Sequence, residues 1–313
     1  MRILLTGITG AIGSELAPLL IAAGHEVRGL TRDPDAARAS GRVPAGCELT
    51  AGDAVSGNGL LAACADVDAA YYLIHSMEPA RTGDFAAAEH QAAQNFKAAA
   101  LTGGDGSGIK RIIYLGGMAA PGLSASPHLA SRLRVERTIL TAAPQALGLR
   151  ASIVIGSRSR SFRLMSRLIE RMPVLPLPAW RDRLTAPVDQ RDVSTALLLS
   201  ATADLTASGP AESLVLDLPG PETVSYGQLL ERIRDAMMLN RPSLKLGSVT
   251  LTPLVSELSA AITGERHELV RALMGSLATD LLPSAPNAAE LLGVRLHSLD
   301  AAIEHALHGL EHD

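Results

Sequence analysis

Three glycines near the N-terminus have a spacing that suits phosphate chemistry. In Thr6-Gly7-Ile8-Thr9-Gly10-Ala11-Ile12-Gly13 the glycines follow a GxxGxxG pattern, between the apolar run Arg2–Leu5 and the helix-like stretch Gly13–Ala23. A turn without Cβ atoms lets the backbone N–H groups around Thr9, Gly10, Ala11 and Ile12 approach a pyrophosphate. The positive end of the following helix favours the negative charge. Gly13 lets that helix pack closely on the strand. An ordinary tight turn is the plainer reading of the spacing, but a strand before it and a helix after it favour the phosphate loop. No lysine follows the glycines, which excludes a P-loop.

A second chemical position is the end of the next strand, Gly29-Leu30-Thr31-Arg32-Asp33. A carboxylate about 20 residues beyond such a loop binds the ribose 2′-hydroxyl of NAD. Counted from Gly13, that place falls near the uncharged Thr31, and Arg32 follows. An arginine there pairs with a 2′-phosphate, so the sequence favours NADP, with NAD as the other dinucleotide. In the alternative, Arg32 is a surface residue and Asp33 takes the ribose. His75 and Ser76 stand at the C-terminal end of a strand, where ligands bind in open α/β sheets. Arg158, Arg160 and Arg163 either hold an anionic substrate or the cofactor's diphosphate, or form a solvated face. Met77, Met118, Phe162, Met165 and Trp180 either line an apolar pocket or simply pack. The histidines include no HExxH and no Cys/His cluster has ligand spacing, so no metal is expected. His305, His308 and His312 read as a solvated face of the C-terminal helix.

These residues need a scaffold that alternates strands and helices. Arg2–Leu5, Gly13–Ala23 and Glu26–Leu30 form an opening βαβ unit. Cys47–Leu49, Ala69–Ile74, Arg111–Leu115 and Ala151–Ile155 read as further strands, with helices at Gly59–Ala65, Asp84–Leu101 and Pro127–Ala142. Near-continuous apolar strands between helices predict an α/β fold, a doubly wound parallel sheet covered on both faces. Residues 1–156 are expected to form this Rossmann domain. Residues 157–313 are expected to form a small, mainly helical C-terminal lobe, with segments about 185–218 (Thr185–Val188 and Leu214–Asp217) returning to the sheet. Its helices are expected at Arg158–Met172, Tyr226–Leu239, within Pro253–Leu282, and at Leu299–Leu310.

At 313 residues the chain fits one large domain or two modest ones. A hydrophobic content of 47% can fill a core, which excludes a disordered chain. A net charge of −4 and an aromatic content of 3% argue against a nucleic-acid partner. Cys47 and Cys64 form no CxxC and read as small buried side chains. No run reaches the ~18 apolar residues of a membrane span, and the N-terminus lacks a signal-peptide layout. A soluble cytoplasmic protein with a small-molecule substrate is expected. The oligomeric state is open, a homodimer included.

Thr6–Gly13 matches the TGxxGxxG of the short-chain dehydrogenase/reductase superfamily, and the chain resembles its atypical, NmrA-like and extended branches. Gly52-Asp53-Ala54 is similar to the turn after the third strand that contacts adenine. Ala69–Ser76 resembles the fourth strand and the loop under the cofactor, which implies contacts from Ile74, His75 and Ser76. Tyr114-Leu115-Gly116-Gly117 resembles the end of the fifth strand beside the nicotinamide. Ile153–Ser157, Pro187–Val193 and Asp217–Glu222 with Tyr226 are also family-like. The resemblance covers nearly the whole chain and implies a Rossmann fold that binds NAD(P).

The departure from that family concerns catalysis. Its mainstream members use a Tyr-x-x-x-Lys pair plus a serine, with the tyrosine as general acid/base and the lysine lowering its pKa and holding the nicotinamide ribose. A phenol with a pKa near ~10 needs an adjacent cation to work at neutral pH. Here Tyr71, Tyr72, Tyr114 and Tyr226 are followed four residues on by His75, Ser76, Met118 and Leu230, so the pair is absent. At its expected place the chain reads His128-Leu129-Ala130-Ser131-Arg132. Positions i and i+4 share a helix face, so His128 and Arg132 replace Tyr and Lys one for one. Arg132 can donate to ribose hydroxyls but cannot shuttle a proton. His128 titrates near neutrality and can donate one, although a neighbouring guanidinium disfavours its charged form. In the alternative, His128 merely begins a helix and Arg132 is solvated or holds the ribose. Ser126 and Ser131 are the candidates for the missing serine. Two functions follow. One is an NADPH-dependent oxidoreductase for a small, apolar carbonyl or quinone-like compound, with His128 or a water as proton source. The other is a non-catalytic sensor or scaffold that binds the dinucleotide without turnover.

Overall fold

Seven short strands line up as one parallel sheet, largely buried except for the half-exposed edge strand Glu48–Ala51. The computed structural model describes residues 1–74, 85–103, 108–118, 127–177, 179–204, 214–245 and 279–311. The sheet strands are β1 (Arg2–Thr6), β2 (Glu26–Thr31), β3 (Glu48–Ala51), β4 (Ala69–Tyr72), β5 (Arg111–Gly117), β6 (Gln145–Ala151) and β7 (Leu214–Leu218). The helices are α1 (Gly13–Ala22), α2 (Pro34–Ala39), α3 (Leu60–Cys64), α4 (Phe85–Thr102), α5 (Pro127–Ile139), α6 (Arg160–Arg171), α7 (Gln190–Ser200), α8 (Tyr226–Ala236), α9 (Ala288–Leu292) and α10 (Leu299–Leu310). The strand order is β7-β6-β5-β4-β1-β2-β3, every neighbour parallel. The order reverses between β1 and β4, which opens a crevice at their C-terminal ends, the usual ligand position of such sheets.

Period-two alternation divides the core. Ile3, Leu5, Tyr71, Ile113 and Leu147 face α1, α7 and α9, while Leu4, Ala70, Tyr72, Ile112 and Tyr114 face α3, α4 and α5. Burial on both faces is why the strands read as continuous apolar runs. A third core joins Phe162 and Ile169 of α6, Leu229 and Ile233 of α8, and Leu299 and Ile303 of α10 to Ile155. The α/β sheet and the helical C-terminal region are both present.

The sixth strand differs from its expected place at Ala151–Ile155: it runs over Gln145–Ala151 and pairs β5 in the register Ile113↔Leu147. Gly148 and Arg150 break the apolar run that marks a buried strand. Arg150 is accommodated because Glu136 of α5 meets it at 2.6 Å. Val154–Ile155 leaves the sheet and pairs with Val188–Asp189. Of the stretch 185–218, Leu214–Leu218 joins the sheet edge beside β6, whereas Leu184–Thr185 pairs antiparallel with Val224–Ser225. The helices expected within Pro253–Leu282 lie outside the described residues up to 278; Leu281 bridges Thr185 instead of continuing a helix. Among the described residues no helix is long and apolar enough to cross a membrane.

The Glu136–Arg150 pair yields a stability test. Glu136 is buried, so Glu136→Ala strands a half-buried guanidinium and costs about 3–5 kcal/mol in urea unfolding. A loss below about 1 kcal/mol, typical of exposed pairs, would contradict this account of β6.

Candidate functional site

β1 carries the glycine turn to the sheet edge, beside the reversal in strand order. The buried Thr6 hydroxyl donates to the Tyr71 carbonyl at 2.9 Å and accepts from the Leu73 N–H at 3.0 Å, tying the ends of β1 and β4. Gly7 has φ +68°, a left-handed conformation that suits glycine. A Cβ on Gly13 would collide with the Gly7 carbonyl oxygen, so α1 starts in contact with the turn. It also starts uncapped. Ile12 holds the cap position and offers no side-chain acceptor, and the N–H groups of Ala11, Ile12 and Gly13 have no hydrogen-bond partner among the described residues. A helix N-terminus carries roughly +0.5 elementary charge. Close approach, free donors and positive potential together fit the diphosphate of a dinucleotide.

The end of β2 adds charge. Asp33 accepts from the N–H groups of Asp35 and Ala36, both at 3.0 Å, and caps α2. Both bonds fall on the same oxygen, Oδ1. Thr31 Oγ1 accepts from the Asp33 N–H at 3.3 Å, and Arg32 is exposed. Arg42, from the loop after α2, donates to the Thr9 carbonyl at 3.3 Å. It brings a guanidinium to the glycine turn. Sequence reasoning missed Arg42 because it belongs to no motif; only the return of its loop places it here. Asp53 shapes the turn after β3, donating its N–H to the Asn58 carbonyl and accepting the Val55 N–H, both at 2.9 Å. The Ala54 carbonyl is held by Asn95 of α4 at 3.0 Å. Ile74 is half-buried just beyond β4. His75, Ser76, Met77 and Ser126 lie outside the described residues.

At the nicotinamide end suggested by the sequence, Leu115 and Gly116 lie near the end of β5. Arg132 turns inward: it is 6% exposed, donates from Nη2 to the Leu115 carbonyl at 3.0 Å and lies 5.6 Å from the Tyr114 ring centroid. Ser131 donates to Glu89 at 2.7 Å, both buried. The His128 backbone lies in the first turn of α5; its side chain is outside the description. The four tyrosines are all buried. Burial pushes the Tyr114 hydroxyl up to about 12 and those of Tyr71, Tyr72 and Tyr226 higher than the ordinary phenol range. Tyr71 and Tyr114 donate to the carbonyls of Leu197 and Arg132. Burial thus holds each phenol in its protonated form at neutral pH.

A recess of about 340 Å³ adjoins the glycine turn, between α1, α7, α10 and residues 156–158. Arg158 lines it and donates to Ser14 Oγ at 3.2 Å. Gln190 bonds Glu15 across it, and His305 of α10 faces it. Arg160 and Arg163 belong to α6. Phe162, Met165 and Trp180 pack in the third core, and Met118 is buried. Among the described residues no cluster of His, Cys, Asp or Glu could hold a metal.

Residues 1–201 match the NmrA-like family. Over 155 residues the chain is 27% identical to the mitochondrial NADH dehydrogenase [ubiquinone] 1 alpha subcomplex subunit 9 of Arabidopsis thaliana, a match covering 50% of this chain and 37% of that protein. The chain thus spans little over a third of this curated relative. Among solved structures it is similar to a UDP-glucose 4-epimerase of Thermotoga maritima, with UDP-glucose (TM-score 0.72, 14% identity, covering 100% and 99% of the two chains). It is also similar to a UDP-glucuronic acid 4-epimerase of Bacillus cereus, in complex with UDP-glucuronic acid and NAD (TM-score 0.69, 15% identity, covering 100% and 99%). At these identities the likeness is one of fold.

The contact between Gly13 and Gly7 is testable without a ligand. Gly13→Ala forces α1 off the turn and lowers stability by about 1–3 kcal/mol in thermal unfolding. A variant as stable as wild type would show that the turn has slack.

Proposed function

The chain belongs to the NmrA-like family, and on that premise we propose that it binds NADP(H), with NAD as the weaker dinucleotide, and works as an oxidoreductase on a small, apolar carbonyl or quinone-like compound. The observation that carries the binding reading is the uncapped, positively charged start of α1 behind a turn with no room for Cβ atoms. A fold neighbour described in complex with NAD supports a dinucleotide in this architecture. Arg32, exposed just beyond β2, and Arg42, at the Thr9 carbonyl, support the 2′-phosphate of NADP over a bare ribose.

The reduced nicotinamide supplies hydride when bound. This chain's part is to hold the dinucleotide at the ends of β1 to β5 and to deliver a proton to the substrate oxygen. Buried tyrosines cannot deliver it, and a guanidinium cannot either. His128 in the first turn of α5, or a water, takes that role. A second reading, a non-catalytic dinucleotide sensor or scaffold, is favoured by Arg132. Its guanidinium is engaged by the Leu115 carbonyl and the Tyr114 ring, an arrangement that ties α5 to β5.

Two measurements follow. In calorimetric titrations, Arg32→Ala and Arg42→Ala each weaken NADP+ binding about tenfold, the loss of one charge-assisted contact, and leave NAD+ unchanged. NADP+ affinity unchanged from wild type in both variants would remove the 2′-phosphate assignment. NADPH oxidation over a carbonyl and quinone panel separates the two readings. Substrate-dependent turnover that His128→Ala lowers at least tenfold supports the oxidoreductase, whereas dinucleotide binding without any turnover selects the sensor. Undiminished turnover by His128→Ala would eliminate His128 as the proton source.

A further inference from the structure

The turn after β3 is built so tightly that its polar groups have fixed places. A Cβ on Gly59 would come within 2.3 Å of the Ala51 carbonyl oxygen, and one on Gly52 within 3.0 Å of the Asn58 carbonyl oxygen, so the two arms of the turn touch. The Asp53 N–H donates to the Asn58 carbonyl at 2.9 Å and the Gly57 N–H to the Asp53 carbonyl at 2.8 Å. The Gly52 N–H donates to the Thr31 carbonyl at 2.8 Å, which sets the turn beside the end of β2. Asn95 of α4 then holds the turn from the helix. Its Nδ2 donates to the carbonyls of Ala54 and Val55, at 3.0 and 2.9 Å, while its Oδ1 accepts from Gln91 Nε2 at 2.9 Å. A Cβ on Gly57 would stand 3.4 Å from the Asn95 amide carbon, so turn and amide are also in contact. Two polar groups are left over. One is the Ala54 N–H, in a residue only 6% exposed, which has no hydrogen-bond partner among the described residues. The other is Asp53 Oδ2, since the Val55 N–H goes to Oδ1. A buried N–H without a partner is costly and calls for an acceptor from outside the turn.

We propose that Asn95 is a positioning residue that gives this site its base specificity. It holds the Ala54 and Val55 carbonyls toward α4 and so keeps the Ala54 N–H and the Asp53 carboxylate side by side, a donor next to an acceptor. The base edge that matches is that of a 6-aminopurine, whose amino group donates to the carboxylate and whose N1 accepts from the N–H. A 6-oxopurine has the reverse pattern on those two atoms and sets its oxygen against the carboxylate. This rests on the reading of the site as a dinucleotide site. Asn95 acts through the turn and needs no contact with the ligand. Without its amide the peptide planes at Ala54 and Val55 are free to rotate, which loses the donor but leaves the grip of the start of α1 on the diphosphate unchanged.

The test is calorimetric titration of NADP+ and of its hypoxanthine analogue, which differs only in carrying a 6-oxopurine, into wild type, Asn95→Leu and Asn95→Asp. The unfolding midpoint of each ligand-free protein is measured alongside. Asn95→Leu keeps the size and removes the amide, whereas Asn95→Asp keeps the shape and sets a carboxylate against two carbonyls. Wild type is expected to prefer NADP+ by about tenfold or more, because the analogue leaves a charged acceptor facing another acceptor. Both variants are expected to weaken NADP+ about fivefold and to change the analogue by less than about twofold, so the preference for the 6-amino base collapses. A loss shared equally by the two ligands, with the preference kept, makes Asn95 a structural residue only and overturns the proposal. Affinities unchanged from wild type overturn it as well. A wild type that binds both ligands equally overturns it and leaves the dinucleotide reading intact. Should Asn95→Leu fail to fold, Asn95→Asp carries the same comparison with the same two outcomes. Absence of binding of either ligand to wild type removes the dinucleotide reading and this proposal together.

Discussion

The contact of Gly7 with Gly13 sets the electrostatics on which the candidate site depends. It seats α1 so close to β1 that no side chain fits between them, and it leaves three backbone donors facing outward without partners among the described residues. Such an end is a standing positive potential, roughly half an elementary charge, at the place where the sheet order reverses. Thr6 fixes that end relative to β4 through two hydrogen bonds on one hydroxyl. The ends of β1 and β4 are thereby tied together beside the start of α1. The arginines around it, Arg42 at the Thr9 carbonyl and Arg158 at Ser14, deepen the same potential from two sides.

The C-terminal region is bound into this unit. β7 returns from it to the edge of the sheet beside β6. Asp217 of β7 accepts from the Ser284 and Ala285 N–H groups at 2.6 and 2.8 Å, holding the chain just before α9. Asp192, at the start of α7, receives both the backbone N–H and the ring nitrogen of His297 and so anchors the segment leading into α10. α10 buries Leu299, Ile303 and Ala306 against α6 and α8, and its Gly309 reaches Ser157 beside the recess. Both carboxylates are buried and accept at least two hydrogen bonds each, although Asp217 Oδ1 has no partner among the described residues. A ligand at the glycine turn therefore meets walls from both halves of the chain.

The parts of this arrangement that follow one-dimensional rules were legible in the sequence. The glycine spacing, the strands with uninterrupted apolar runs and the capped helices α8 and α10 announce themselves through local chemistry; Ser225 with Gln228, for instance, forms a capping box. β6 was harder because its apolar run contains Gly148 and Arg150, and the partner that makes Arg150 tolerable, Glu136, is distant from it in the local pattern. The site shows the same division. Gly7 and Gly13 could be read directly. The turning of Arg132 toward the Leu115 carbonyl could not, because helix periodicity places a residue on a face without saying which neighbour its side chain meets. Arg42 and Arg158 depend on loops closing from elsewhere in the fold, and no spacing rule reports that.

The central claim is that a dinucleotide sits with its diphosphate on the start of α1 and its 2′-phosphate by the end of β2. A crystal structure of the protein grown with saturating NADP+ tests it most directly. The account predicts diphosphate oxygens about 3 Å from the Ile12 and Gly13 nitrogens and the 2′-phosphate within reach of Arg32 and Arg42. Density for the dinucleotide elsewhere on the molecule, or none at the glycine turn, would contradict it.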